Sequence, residues 1–361
     1  MKEIPWKIAK AIGKVGPSNY SLISRMVRIP ESTVRYNVSR LSRMGILIQP
    51  SIAYEKLGFE RYWALFEFGD KYNGKEKRFF DTMNEIAFLI YFTRLLPRGK
   101  YVAVVTVPTS VRAEYSRFVS RLVDEGILKS CQMHELLWIR DTEMRAEYYN
   151  FGSKTWDIDW AALGKALPSV TEPKSDELAQ QQIDQIDLLI LKEMQIDSIA
   201  PLTKIARKIK INSKTAYYHY RNHVLARKLL KNYVLRWRGV SKRRYAIVPI
   251  TLWYTQLTGS ELMQVQKVFN SVPVIWSDAI SKDRSMYIAE LAVPAEQLQD
   301  LLSFVWNETQ QFTSKLNFGF SDSSFGVAYS ITNHMFDGDG WNFEAEKAVN
   351  RIKHILVANR K

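Results

Sequence analysis

The string IDQIDLLILKEM (residues 183–194) continues through LTKIARKIKINSKTAYYHYR (202–221), closes on LRWRGVSKRRY (235–245), and decides how the rest of the chain is read. Ile183, Ile186, Leu189, Ile190 and Met194 recur at helical spacing and form one apolar stripe on an opening helix. Two shorter helical patterns follow, with Ile205 and Ile209 on the first and Ala216, Tyr220 and Val224 on the second. Between them stand Asn212 and Ser213, whose short polar side chains cap a helix start. The charge is one-sided: fourteen Lys and Arg and no Asp or Glu lie between Ser198 and Tyr245, matching the formal net charge of +14 of the whole chain. A solvated helix mixes both signs, so a one-sign segment is an electrostatic footprint for phosphate. Three short helices followed by a basic hairpin predict a winged helix-turn-helix over residues 183–245.

The bulk properties set the frame. At 361 residues, with 46% apolar and 24% charged side chains, the chain has the composition of an ordinary globular protein with room for several domains. Its one cysteine, Cys131, lies in an apolar strand pattern and is expected to be an inert, buried thiol; no internal disulfide and no Cys/His metal cluster is expected. Lys2, Glu3, Lys7 and Lys10 interrupt any leader-like apolar run, and no stretch approaches the ~18 apolar residues of a spanning helix. The expectation is a cytoplasmic, nucleoid-associated protein that does not contact membrane.

Residues 1–54 repeat the helix-turn-helix pattern. Ile4, Ile8, Ala11, Ile12 and Val15 make a first helix stopped by Gly16-Pro17; Leu22, Ile23, Met26 and Val27 make a second. A third runs from Glu31 to Met44 with Val34, Val38 and Leu41 inward and Gly45 as its stop, and Ile46 to Tyr54 forms the wing strands. The two units align at an offset of 182: Ile23 with Ile205, Arg25 with Arg207, Thr33 with Thr215, Tyr36 with Tyr218. Residues 55–145 then read strand, helix, strand, strand, helix, strand, and residues 246–333 repeat that order, with Val107-Pro108 matching Val293-Pro294 at an offset of 186. A Trp-containing tail and linker covers residues 146–182, with PSVTEPKS (168–175) its clearest break, and a matching tail with a C-terminal helix covers 334–361. The expected fold is α+β: two winged helix-turn-helix domains alternating with two ferredoxin-like βαββαβ domains.

With these residues in view, the chain resembles the Lrp/AsnC (feast/famine) transcription regulators, in a tandem, archaeal-type form. The resemblance rests on IDQIDLLILKEMQID with Asp184, Asp187, Ile190 and Leu191, and on IPESTVRYNVSRLSRMGIL in the first unit. It implies a non-enzymatic, sequence-specific regulator of double-stranded DNA, with no cofactor. It also implies pairing through the ferredoxin-like domains, as an intramolecular pseudo-dimer or a homodimer; separately, the less basic first winged unit is the candidate for docking on transcription machinery instead of DNA. The family's effector loop corresponds to Gly99 in RGKYV, without the Asp that the family places there; the second copy reads KDRSM with no Gly.

The expected DNA contacts are Ser32, Thr33, Arg35, Tyr36, Asn37 and Arg40 on the first recognition helix. On the second they are Ser213, Lys214, Thr215, Tyr217, Tyr218, His219 and Arg221, and the basic wing supplies Arg236, Arg238, Lys242, Arg243 and Arg244. Such residue types reach phosphates and base edges; Tyr217 and Tyr218 either pack on the nucleic acid or support their helix. His219 and His223 stand at i, i+4, a spacing that binds zinc, but the sequence brings no third ligand near them, so no metal is expected. His134 and His354 are each isolated, and Asp337, Asp339 and Glu344 match no calcium loop, so a turn held by Trp341 is expected there. One enzymatic alternative stands beside the regulator. RGVSKRRY (238–245) resembles the GVSHNY-like segment of siroheme decarboxylases, which are also built from paired Lrp-type modules, but Lys242 replaces the histidine. A low-specificity chromatin protein is the other alternative, on the strength of the charge alone.

Overall fold

The computed structural model describes residues 4–43, 46–142, 145–150, 153, 155–171, 180–237, 247–322 and 324–357. The first copy of the repeat runs α1 (Ile4–Val15), α2 (Tyr20–Val27), α3 (Glu31–Arg43), β1 (Ile46–Ile52), β2 (Phe59–Phe68), α4 (Glu76–Ile86), β3 (Leu89–Leu96), β4 (Lys100–Pro108), α5 (Arg112–Asp124) and β5 (Leu128–Asp141). Two short strands, β6 (Tyr149–Asn150) and β7 (Thr155–Trp156), and α6 (Trp160–Lys165) form the tail. The second copy runs α7 (Gln185–Ile196), α8 (Leu202–Lys208), α9 (Ser213–His219), β8 (Leu230–Trp237), β9 (Ile247–Tyr254), α10 (Gly259–Ser271), β10 (Ile275–Ser281), β11 (Tyr287–Pro294), α11 (Leu298–Thr309) and β12 (Leu316–Ser321). It ends with β13 (Val327–Ala328) and α12 (Ala345–Val357). The class is α+β, and both βαββαβ orders read from the sequence are present. Among the described residues no helix is long and apolar enough to cross a membrane.

The chain forms two compact units, and they do not follow chain order. The first holds Met1–Ser51, Leu137–Ser175 and Lys231–Phe320, so the helices of copy one share a unit with the sheet of copy two. Ile8, Ile12, Ile23, Val34, Val38 and Leu41 close the three-helix core at near-zero exposure. Gly16 turns the chain at φ +82° against the Tyr233 ring, where a Cβ would meet carbon at 2.9 Å. Strand β1 was expected to pair within its own wing; it pairs instead with β8 of the other copy. The sheet runs β12-β9-β11-β10, antiparallel throughout the paired registers, with the end of β5 beside β10 through Thr142 N–H to the Trp276 carbonyl at 2.9 Å. Buried side chains of α10 and α11 cover one face: Phe269 meets Tyr254 and Tyr287, and Leu301, Phe304 and Val305 fill in beside it. The tail of copy one docks here too, as Trp160 donates to Gln297 Oε1 at 2.8 Å and packs on Phe304.

The second unit holds Ile52–Leu136, Asp176–Leu230 and Ser321–Lys361. Its strand order is β5-β2-β4-β3, extended by β13, whose Val327 pairs with Phe92. Alternation along β2 and β4 sends Ala64, Phe66, Phe68, Ala103 and Val105 into one core with Phe79, Phe80 and Phe118 from the helices. The C-terminal helix α12 completes that core through Val349, Ile352 and Leu356, and Trp341 packs against Phe59 and Phe88. The last strand region of the chain is split into β12 and β13. Asp322 takes hydrogen bonds from the Ser324 amide and hydroxyl and pairs with Arg94 at 2.6 Å, a turn that splits β12 from β13. Ser324 and Arg94 hold the Asp322 carboxyl below its ordinary value.

Candidate active site

Helices α3 and α9 place most of the residues expected as DNA contacts outward, with exceptions. On α3, Ser32, Arg35 and Tyr36 are exposed and Thr33 and Arg40 half-buried. Arg35 is bound to Glu31 at 2.6 Å and lies over the Tyr20 ring. Asn37 does not face outward: it is buried, with its amide donating to the Thr33 carbonyl at 2.8 Å. That hydrogen bond to the preceding turn ties an Asn back to its own helix and costs it as a reader of bases. On α9, capped by Asn212 accepting from the Thr215 amide at 2.8 Å, Ser213, Lys214, Tyr217, Tyr218 and Arg221 point out and Thr215 is half-buried. The expected contact His219 is 9% exposed and turned inward to Asp187. Arg236, expected on the wing, binds the Asp141 carboxylate. Arg238, Lys242, Arg243 and Arg244 lie outside the described residues, as do the expected helix stop Gly45 and the end of the linker, 172–175. Gly99 sits in the tight β3–β4 hairpin at φ +64°, a conformation glycine takes freely.

Sequence reasoning passed over a polar cluster in the first unit. β11 reads YIAELAVP, and its one charged residue, Glu290, pairs in register with Thr251 of β9. Tyr287, Ala289 and Leu291 alternate toward α10 and α11, so Glu290 occupies the other face of the sheet. The Thr251 hydroxyl donates to Glu290 Oε2 at 2.9 Å, while Oε1 is buried and has no hydrogen-bond partner among the described residues. Burial pushes the carboxyl up to about 8, against the Thr251 hydroxyl and the Arg236 charge, both of which favour ionisation. Asp141 joins the cluster: it binds Arg236 and accepts the Ser51 hydroxyl at 2.9 Å. Arg236 Nε is also buried without a partner among the described residues. A carboxyl that keeps its proton at neutral pH, beside an oriented guanidinium, can both bind a carboxylate and supply a proton. At the offset of 186, Glu290 corresponds to Val104, which pairs with Trp63, so the other sheet has no matching carboxyl at that position.

The same unit carries a second charged network on the helix-covered face, in which Asp278 is buried and Arg140 partly exposed. Arg140 binds Asp278 through two nitrogens, at 2.8 and 2.5 Å, and Tyr287 donates to Asp278 at 2.7 Å. Every partner is accounted for, which marks it as a structural tie between β5, β10 and β11. In the second unit, Asp184 and Asp187 of α7 meet His219 and His223, a convergence absent from the linear sequence. The expectation that the two histidines lack further ligands is therefore corrected, because packing of α7 against α9 supplies two carboxylates. Cys131 is half-buried, with burial raising its thiol to about 12. His134 rests near the Trp63 ring, and the 337–342 turn is held by Asp337, which accepts the Asp339 and Gly340 amides, with Trp341 packed on Phe336.

No family model matches the sequence, and no curated protein matches it. Among solved structures, the siroheme decarboxylase NirDL matches at 13% identity and TM-score 0.56, over 97% of this chain and 99% of that one. The same enzyme in co-complex with an iron-uroporphyrin III analogue matches at 13% identity and TM-score 0.53, with 97% of each chain covered. An AsnC family transcriptional regulator from Agrobacterium tumefaciens matches at 15% identity and TM-score 0.33, over 41% of this chain and 99% of that one. At these identities the likeness is one of fold. It corrects the expectation of a non-enzymatic chain, because the end-to-end matches are to an enzyme.

Proposed function

We propose that the chain is a decarboxylase of a carboxylate-rich iron tetrapyrrole, siroheme-like, built from two tandem Lrp-type modules with ferredoxin-like sheets. The observation that carries this reading is Glu290, a buried carboxyl raised to about 8 beside Arg236, inside a fold that matches a siroheme decarboxylase from end to end. Arg236 lies two residues before RGVSKRRY, the segment that resembles those enzymes. There Lys242 stands where the resemblance places a histidine, so the imidazole is missing, and Glu290 is suited to give the proton in its place.

In this reading Arg236 and the wing cations hold substrate carboxylates. The bond from the side-chain carbon to its carboxylate breaks, carbon dioxide leaves, and the electron pair stays on carbon. That carbon takes the Glu290 proton and becomes a methyl group; solvent then reprotonates the carboxylate. General acid catalysis of this kind contributes about 10²–10⁴-fold. The test is anaerobic incubation of the purified protein with siroheme, read by the Soret band for binding and by mass spectrometry for loss of carbon dioxide. Wild type should bind and decarboxylate, while Glu290→Gln should bind equally and turn over at least about 100-fold more slowly. An unchanged Soret band on titration, or full turnover by the variant, overturns the reading.

One observation favours a second reading, DNA binding: Lys214, Tyr217 and Tyr218 of α9 and Arg221 of the turn that follows it are all exposed. Selection from a random duplex pool at about 150 mM salt tests it. Enrichment of a motif means sequence reading, retention without enrichment means a chromatin-type role, and no retention removes both. If duplex is bound, Lys214→Ala should weaken all sequences alike and lower the salt slope by about 1.

A further inference from the structure

Asp184 and Asp187 open α7 as a capping box: Asp184 Oδ1 accepts the Asp187 amide at 2.9 Å, and Asp187 Oδ2 accepts the Asp184 amide at 3.3 Å. That motif alone explains neither the burial of a full carboxylate nor its neighbours. Asp187 is completely buried, and two imidazoles from another helix turn the same ring nitrogen toward it. His219 Nδ1 and His223 Nδ1 each lie 3.0 Å from the same oxygen, Asp187 Oδ1. Asp184 Oδ2, the oxygen its cap leaves over, lies 3.4 Å from His219 Nδ1 and 3.8 Å from His223 Nδ1. One donor atom from each of the four residues falls within 4.8 Å of the others.

Those separations have a physical meaning. Four ligands at ~2.0 Å from a tetrahedral zinc ion stand about 3.3 Å from one another. The four aspartate-to-histidine separations, 3.0 to 3.8 Å, bracket that edge, and all the ligand atoms lie within 4.8 Å of one another. Two carboxylates and two neutral imidazoles around a divalent cation make a neutral set, which suits the full burial of the Asp187 carboxylate, while Asp184 stays half-exposed. The Tyr218 ring stands edge-on to both histidines, 5.7 and 5.5 Å away, and shields them from the outer side. Just after His219 the helix widens into a π turn over Tyr220–Leu225, which carries His223; such turns recur at functional sites.

We infer that Asp184, Asp187, His219 and His223 form a tetrahedral site for a zinc-sized divalent cation, which clamps the opening helix of the second winged unit to its recognition helix. The site is independent of the decarboxylase reading, since none of its residues belongs to the Glu290 cluster. Its chemistry is structural: with four protein ligands no position remains open for substrate. Bound metal therefore acts on the rigidity of α9 and on the surface that Tyr217 and Tyr218 present.

The full-length protein, stripped with a chelator, is titrated with Co²⁺ and then with Zn²⁺. One Co²⁺ per chain should bind with the intense visible bands of tetrahedral cobalt, and Zn²⁺ should displace it. Zn²⁺ should also slow amide exchange in α7 and α9. Losing a group behind a metal ligand costs roughly 10–100-fold in affinity, so His223→Gln should cost more than about 100-fold. Asp184→Asn, which keeps the cap, serves as a second variant should the first fold poorly, and it should weaken binding in the same direction. Absence of the tetrahedral bands, or binding unchanged in both variants, overturns the site.

Discussion

Glu290 shows how one residue links the fold to pH. Its carboxyl sits at about 8 in the folded chain against an ordinary 4.5. A raised carboxyl stabilises the fold fully below its unfolded value, and that contribution is lost as pH climbs from about 4.5 through about 8. The whole span is worth at most ~5 kcal/mol. Glu290→Gln keeps the Thr251 contact without the titration, so its stability should fall less than that of wild type across this window. Urea unfolding at stepped pH measures it, and parallel curves for the two proteins would remove the claim that Glu290 stays protonated. The other notable residue, His219, was read from sequence as a DNA contact because its helix is basic. A helical wheel does show which positions share a face. It does not show that an aspartate 32 residues upstream reaches that face.

At the scale of elements, periodicity anticipated nearly every helix and strand, since a helix or strand needs only its own alternation and caps. The partners of each element were not readable in the same way. Helix α12 is amphipathic in sequence, but that it closes the aromatic core under α4 and α5 is a tertiary fact. Ile352→Ala removes a fully buried side chain there and should cost about 2–4 kcal/mol in chemical denaturation. A cost below ~1 kcal/mol would mean that the helix is not part of that core. In the first unit, Asp278→Ala strands the partly exposed Arg140 and unpairs the Tyr287 hydroxyl, and should cost roughly 2–4 kcal/mol. The same substitution paired with Arg140→Met should cost less than the sum of the two alone. Strict additivity would show that the network does not act as one.

At the scale of the molecule, the exchange of segments between copies has a direct consequence. Each compact unit draws on both halves of the chain, so neither half contains a whole unit. Residues 1–175 and 176–361 expressed separately should be poorly folded, and should regain native circular dichroism and a 1:1 complex when mixed. Two stable, monomeric, fully folded halves would show that the exchange is not needed. The sequence by itself determined the repeat, the α+β class, the element order and the concentration of positive charge, because these follow from local periodicity and composition. Tertiary structure alone decided which three-helix segment shares a unit with which sheet. It also decided that the Glu290 carboxyl is sealed away and raised by burial, and that two aspartates and two histidines converge. Those outcomes depend on burial and on distances between residues far apart in the chain, and the free energy that sets them arises only once the elements have packed.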